Sequence, residues 1–480
     1  MAQPFIPPCD NAIIRAEPCP RAADREIQDS RKRWVLAACV LASSMAFIDG
    51  SALTVALPAL RADFEASLQG VQWVINAYVL ALAALTLIGG AMADLYGRAR
   101  ILIAGCVVFA AASVACALAP SIDALIAARL AQGIGAALVT PASLALIGET
   151  YPEEERGAAI GVWASASALT TAGGPLLGGW LTVEFGWEAV FWMNPPLAAA
   201  AIAVLVWKAP PGLRKPGQLD WLGGVWLALA LALLAYGLSN LSPGEGAEPE
   251  QHNASATSAF PIIFASIALL LGLFFQQRRA AHPMLAPDLF RSADFSWLNL
   301  ATLLMYAGLS LMFFLVPFQM IEDRGLSPTL VGLTFLPFTL CVGLLSRYAG
   351  HAADRFGARP VMMTGAGLAA FGLAGLSVFI QQTLVIGVLI PMTIIGLGFA
   401  ALVAPLTASV MASVTEEDTG LASGLNNTAS RVAQLIGVAA AAAIAPQAGG
   451  YGLGYAGAAL LCVGGGAAFW MVRTNAAPSI

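Results

Sequence analysis

A chain of 480 residues that is 59% hydrophobic and 11% charged cannot be a water-soluble globular protein, whose surface needs roughly a quarter of its residues charged. The mean hydropathy of +0.77 points the same way: the outer surface must face lipid. The formal net charge of −5 says little, because in a bilayer the position of each charge matters more than the sum.

About 30 Å of hydrocarbon is crossed by about 20 apolar residues in a helix. Such stretches lie, in chain order, at 34–58, 71–93, 101–119, 122–147, 157–183, 187–207 and 221–239, then at 260–275, 295–316, 330–348, 360–380, 384–414, 421–445 and 451–472. Fourteen spans put both ends of the chain on one side. Basic residues in the short loops divide unevenly. Arg31, Lys32, Arg33, Arg98, Arg100, Arg156, Lys208, Arg278, Arg279, Arg347, Arg355, Arg359 and Arg473 fall on one side, against Arg61 and Arg324 on the other. The positive-inside bias therefore predicts cytoplasmic N and C termini. The outward loop after the seventh span carries Glu245, Glu248 and Glu250.

The first 33 residues are polar and rich in proline, with no apolar h-region, so no cleaved signal peptide is expected. Of the seven cysteines, five lie in apolar spans and Cys9 and Cys19 in the N-terminal tail. That pattern implies neither a disulfide framework nor a metal site. A Gly-x-x-x-x-Gly-Lys phosphate loop is absent, and the lysines are Lys32, Lys208 and Lys215 alone. ATP hydrolysis is not expected, nor any cofactor, and transport would run on an ion gradient or on the solute's own.

At the end of the second span, Gly90, Asp94, Gly97 and Arg98, followed by Arg100, form a pattern that returns 260 positions later as Gly350, Asp354, Gly357 and Arg359. The chain thus reads as two related halves, a common organisation of secondary transporters. Small residues and paired charges at this place can latch one access state, with Arg98 and Arg100 pairing across the seam between the halves. The blander reading is a membrane boundary marked by positive charge. In the second copy the basic residue is displaced by one, so its partner is expected to differ.

Asp49 is the acidic residue lying well inside the hydrocarbon, in the first span. A carboxylate there must be paired, hydrated or protonated. Counted at about 1.5 Å per residue, Asp49 and Arg129 in the fourth span fall at similar depths, about 13 and about 10 Å from the outer end. A movement separating them would switch the affinity of Asp49 for a proton; a static pair that fixes helix packing is the alternative. Gln132, Gly133, Ala136, Thr140 and Ser143 share the helical face of Arg129. Polar stripes recur in span thirteen, with Asn427, Arg431 and Gln434, and in span nine, with Asn299, Thr302 and Tyr306. Together with Phe47 and Asn76 they predict a substrate cavity, with interhelical hydrogen bonding as the rival use. Gly174, Pro175, Gly178 and Gly179 in span five predict either a bend or a close helix contact.

These motifs together resemble the major facilitator superfamily, and within it the fourteen-helix drug:proton antiporters. Gly90/Asp94/Gly97/Arg98 is similar to the signature of the loop between helices two and three, and Arg129-Leu-Ala-Gln132-Gly133 to the arginine motif of helix four. The Gly174–Gly179 segment resembles the antiporter motif of helix five. Asp49-Gly50 with Leu57-Pro58 resembles a first-helix motif, and Trp187, Phe191, Asn194 and Pro195 a sixth-helix pattern. The resemblance implies an all-α membrane protein with the major facilitator fold. Residues 34–208 and 281–472 would form two six-helix bundles, 209–280 a linker with two inserted helices, and 1–33 and 473–480 cytoplasmic tails. It implies a proton-coupled exporter of amphipathic drug-like molecules in a bacterial inner membrane, not an enzyme. The alternative is a dedicated metabolite transporter of the same superfamily. Expected partners are a small amphipathic substrate, protons and the lipid bilayer, with an envelope-spanning export complex as a further candidate; nucleic acid and metal are not expected.

Overall fold

A computed structural model describes residues 22–209, 220–240, 249–279, 287–415, 419–445 and 449–473; at 22–29, 153, 154, 168, 172, 249–258, 287, 419, 420 and 442 it describes the backbone alone. The first six long helices are α1 (Ala22–Asp63), α2 (Leu68–Tyr96), α3 (Arg98–Ala117), α4 (Ile122–Thr150), α5 (Glu153–Phe185) and α6, in two pieces (Ala189–Trp192 and Asn194–Lys208). Next come α7 (Trp221–Ser239) and α8 (Pro249–Arg279). The rest are α9 (Ala293–Phe318), α10 (Pro328–Thr334 and Leu336–Phe356), α11 (Ala358–Phe379), α12 (Ile390–Ala412), α13 (Thr419–Ile444) and α14 (Gly450–Met471). Twelve helices among the described residues are long and apolar enough to cross a membrane. The other two, α5 and α13, are 33 and 26 residues long and pack between the halves described below.

Local chemistry explains many of the boundaries. Ser67, Ser121, Ser292 and Ser327 each begin a helix by accepting a hydrogen bond from the backbone N–H three residues on, at 3.1 to 3.3 Å. Gly97 closes α2 and opens α3 with φ 101°, and Gly357 does the same between α10 and α11 with φ 90°. No other residue type adopts that backbone without strain, so both copies of the repeated motif place glycine where two helices reverse with no linker. Pro195 and Pro196 lack the N–H that would continue the preceding turn, and α6 is interrupted at Met193 just before them.

Two departures from the expected spans have simple causes. Helix α1 begins at Ala22, inside the expected tail, and α8 begins at Pro249, well before the apolar stretch starting at 260. Polar sequence can extend a helix beyond the hydrocarbon, and a hydropathy reading does not see it. Cys9, Cys19, Glu245, Glu248, the linker at 210–219 and the tail at 474–480 lie outside the described residues.

In the first half, α1 packs on α5 and α6, and α4 packs on α2 and α3; in the second, α9 packs on α13 and α14, and α12 on α10 and α11. The halves meet where α5 lies against α10 and α2 against α13. The inserted pair, α7 and α8, leans on this seam. Gln72 of α2 donates to Ser239 of α7 at 2.8 Å, and Gln69 to Asn240 at 3.4 Å. Leu227, Leu231 and Leu273 of the pair form an apolar cluster with Ala83 and Leu80 of α2 and Val432 of α13.

The side on which α1 starts is termed the terminus side. On the far side the halves are tightly closed. Arg61 at the end of α1 pairs with both carboxylate oxygens of Glu322, at 2.8 and 3.1 Å. Thr329 donates to the Gly179 carbonyl at 3.2 Å. A Cβ on Gly179 would collide with the Pro328 carbonyl, and one on Gly332 with the Pro175 carbonyl. Toward the terminus side, α5 is exposed around most of its circumference from Glu155 to Thr171, and Leu340, Leu344 and Tyr348 of α10 are exposed as well. These exposed faces of α5 and α10 contrast with the close contact of the same two helices on the far side.

Candidate functional site

Asp49 and Arg129 meet inside the first half with 0% and 1% of their side chains exposed. Arg129 Nη1 lies 2.5 Å from Asp49 Oδ2. The other carboxylate oxygen, Oδ1, accepts from Gln132 Nε2 and from Asn194 Nδ2, each at 2.8 Å. Three donors from two neighbouring helices thus converge on α1, the hydrogen-bond pattern of an ionised carboxylate. Ser113 of α3 braces both amides, accepting from Gln132 at 2.8 Å and from Asn194 at 3.3 Å.

The guanidinium is fixed by further contacts. Arg129 Nε donates to the Val74 carbonyl of α2 at 3.1 Å, and Nη1 also reaches Gln132 Oε1 at 2.5 Å. Its central carbon lies 4.3 Å from the ring of Tyr78 and 5.7 Å from that of Phe191. Tyr78 in turn donates to the Ala46 carbonyl at 3.2 Å. Five helices, α1, α2, α3, α4 and α6, therefore share one polar cluster in an apolar interior. A buried pair survives only when most of its donors and acceptors are satisfied, as here, where Asn194 Oδ1 is the buried cluster atom without a partner among the described residues.

Asn194, Ser113 and Tyr78 had no assigned role in this cluster on sequence grounds. Asn194 carried a signal, since it is an amide inside a span, just before the prolines that interrupt its helix. Ser113 carried none. In the sequence it looks like Thr140, whose hydroxyl bonds back to the Ala136 carbonyl at 3.2 Å.

The expected cavity residues fall in several places. Phe47 stands edge-on to Trp163 at 6.3 Å, and Trp163 donates to Ser43 at 3.0 Å. Gln132 is fully buried in the Asp49 cluster. Asn76 is fully buried one turn along α2 from Gln72, and neither of its side-chain polar atoms has a hydrogen-bond partner among the described residues. In the second half, Asn426 donates to Asn299 at 3.2 Å and to Thr302 at 2.8 Å. Tyr306 stands edge-on to Phe399 at 6.2 Å. Asn427, Arg431 and Gln434 are partly exposed along α13.

The two copies of the repeated motif behave differently. In the first, Arg98 clasps Asp94 at 3.0 Å, donates to the Ala145 carbonyl at 3.0 Å and approaches Glu149 at 3.6 Å. All three partners lie in the first half. Arg98 therefore does not bridge the seam here, because the turn at Gly97 aims it at the end of α4; Arg100 is exposed. Gly90 makes an ordinary contact with Pro141, 3.6 Å from where its Cβ would lie, and Gly350 faces open space. Asp354 is exposed, and Arg359 lies 5.9 Å from the Trp470 ring.

Gly174 and Gly178 let α5 approach α1, since a Cβ at either would collide with Ser51 or Ala52. Helix α5 continues through Pro175. The segment thus serves close packing on two sides, against α1 within its half and against α10 across the seam.

Paired helical halves, with a buried charge cluster in one of them, are the organisation of many membrane transporters. A family model described as Major Facilitator Superfamily matches residues 39–288 and 298–479, and the chain belongs to that superfamily. It is a multi-pass membrane transporter and not an enzyme. It is 32% identical to Multidrug resistance protein Stp of Mycobacterium tuberculosis, over 82% of this chain and 72% of that protein. It is 33% identical to Cephamycin export protein CmcT of Amycolatopsis lactamdurans, over 87% of each. With the Lincomycin resistance protein of Streptomyces lincolnensis it shares 31% identity over 90% of this chain and 88% of that one. Among solved structures, peptide transporter POT in complex with sulfate superposes with a TM-score of 0.67 at 15% identity, covering 92% of this chain and 93% of that one. The xylose transporter XylE from E. coli gives 0.63 at 14% identity, covering 94% and 100%.

Proposed function

We propose that the protein is a proton-coupled antiporter that exports amphipathic drug-like molecules across a bacterial plasma membrane by alternating access. The observation that carries the coupling is the Asp49 cluster. It is a carboxylate with no exposure, held by donors from α4 and α6, in a chain without a phosphate loop. The names of the relatives support drug export. In this reading residues 34–208 and 281–472 rock about a groove between them, 209–280 supply the inserted pair, all fourteen long helices cross the bilayer, and the terminus side is cytoplasmic.

Cargo enters the groove from the terminus side. The halves then part on the far side, where the Arg61–Glu322 pair and the Gly179–Pro328 contact must break. Asp49 takes a proton from that side, which weakens its hold on Arg129, and gives it up to the cytoplasm after return. The glycine and charge motif around Asp94, with its copy around Asp354, steadies the terminus side in the opposite state. Cargo released on the far side is where an envelope-spanning export complex would receive it.

The test is efflux of a neutral and a cationic dye by inverted vesicles, with and without an imposed proton gradient, for the wild type and Asp49→Asn. Gradient-dependent export lost in the variant is expected. Full gradient-driven export by Asp49→Asn would remove Asp49 from the mechanism, and export indifferent to the gradient would remove proton coupling.

A further inference from the structure

Arg129 and Arg431 lie within the apolar stretches of α4 and α13, and their surroundings are opposite. Arg129 spends its donors on Asp49, Gln132 and the Val74 carbonyl. Arg431, near the middle of α13, has one hydrogen bond among the described residues, from Nη1 to Gln434 Oε1 at a long 3.4 Å. Its Nε is shut off from solvent and has no acceptor. No described carboxylate pairs with it, and the ionisable groups within electrostatic reach are the phenols of Tyr78 in α2 and Tyr306 in α9. A guanidinium stays charged and offers five donors in a planar fork. Holding one in a helix bundle with an idle donor is costly unless an anion completes it at some stage of the cycle.

The neighbouring surface indicates what else that anion carries. From Tyr306 an aromatic row runs through Phe399 at 6.2 Å, Phe338 at 5.9 Å and Phe313 at 5.5 Å between ring centroids. Tyr306 and Phe313, at its ends, are partly exposed, while Phe399 and Phe338 behind them are buried. Nη1 holds Gln434 only at 3.4 Å and Nε is enclosed in this state, so a shift of the side chain would present its Nε–Nη2 edge, which matches the two oxygens of a carboxylate. A guanidinium on α13 and the partly exposed rings of Tyr306 and Phe313 on α9, the helix packed against it, are together the complement of a molecule with a carboxylate at one end and a flat apolar body. Tyr78, whose ring lies against Arg129, is within electrostatic reach of both Arg431 and the Asp49–Arg129 cluster. The two charged sites are therefore neighbours but separate.

We propose that Arg431 anchors the carboxylate of the cargo, whose apolar body lies along the Tyr306–Phe313 row, so that the preferred substrates are carboxylate-bearing amphiphiles. The inference rests on reading the groove as the transport path, and it specifies what that path selects.

The experiment is fluorescence titration of the purified, detergent-solubilised full chain with dansylglycine and with its uncharged counterpart dansylglycinamide. The wild type should bind the carboxylate about tenfold or more tightly than the amide, the difference expected of a charge-assisted hydrogen bond. Arg431→Gln should erase that preference, and Arg431→Lys, which keeps the charge without the fork, should retain part of it. Equal affinity of the wild type for both probes would overturn the assignment. So would a preference that persists in Arg431→Gln. Gradient-dependent export of a neutral dye by wild-type vesicles reports separately on the proton-coupled reading, so either idea can fail while the other stands.

Discussion

Asp49 receives donors from Arg129, Gln132 and Asn194, so deleting one strong partner leaves charge in the interior without compensation. Arg129→Ala should cost about 3–5 kcal/mol of stability, read as a lowered Tm in detergent. The double variant Asp49→Asn/Arg129→Gln, which replaces both charges by amides, should recover most of the loss. A double variant as unstable as Arg129→Ala would mean that packing around Arg129, and not the charge pair, holds these helices. The pair was legible in the sequence because each member is a conspicuous charge in its span and the depths could be counted along a helix. Its amide and hydroxyl partners were harder to see. A serine or amide in an apolar run has the same appearance whether it bonds to its own helix, as Thr140 does, or to a neighbour, as Gln132 does.

Helix reversals and helix contacts were legible to different degrees. The glycines repeated at 97 and 357 have backbones that only glycine tolerates, a local requirement that a sequence must display openly. The partners of the charges beside them were not legible, since Arg98 is directed by the end of α4 and Arg359 lies near Trp470. For the segment Gly174–Gly179 the sequence left a bend and a close contact both open, and the structure shows close contact. Enlarging Gly179 to valine should hold α5 away from the Pro328 carbonyl and spoil the far-side closure. In that background a cysteine at Thr329 should react several-fold faster with a membrane-impermeant maleimide added from the far side, and efflux should fall. Unchanged labelling would show that the seal is made elsewhere, at Arg61 and Glu322.

Over the whole molecule, the basic residues cluster at one end of the bundle, and fourteen crossings would return the chain to that end. Alkaline phosphatase fused after Asn240 should be active and a fusion after Arg473 inactive, with a green fluorescent reporter giving the reverse. Fusions of the same activity at both points would require an odd number of crossings between them to be abandoned. The fold class was readable from composition and repeat alone, because a bilayer admits few solutions for a chain this apolar. The placement of the inserted pair was not readable, because it depends on which helix faces Gln72 and Val432 can share.

That placement gives the two halves unequal parts in any movement. Hydrogen bonds from Gln72 and Gln69 fasten the pair to α2, while at Val432 it meets α13 through hydrocarbon, which resists sliding far less. Its outer helix presents Phe260, Phe264, Leu271 and Phe275 to the lipid. If the halves rock as proposed, the first half would carry a keel set in the bilayer and serve as the stator. Seen from the membrane, the second half would then be the part that swings.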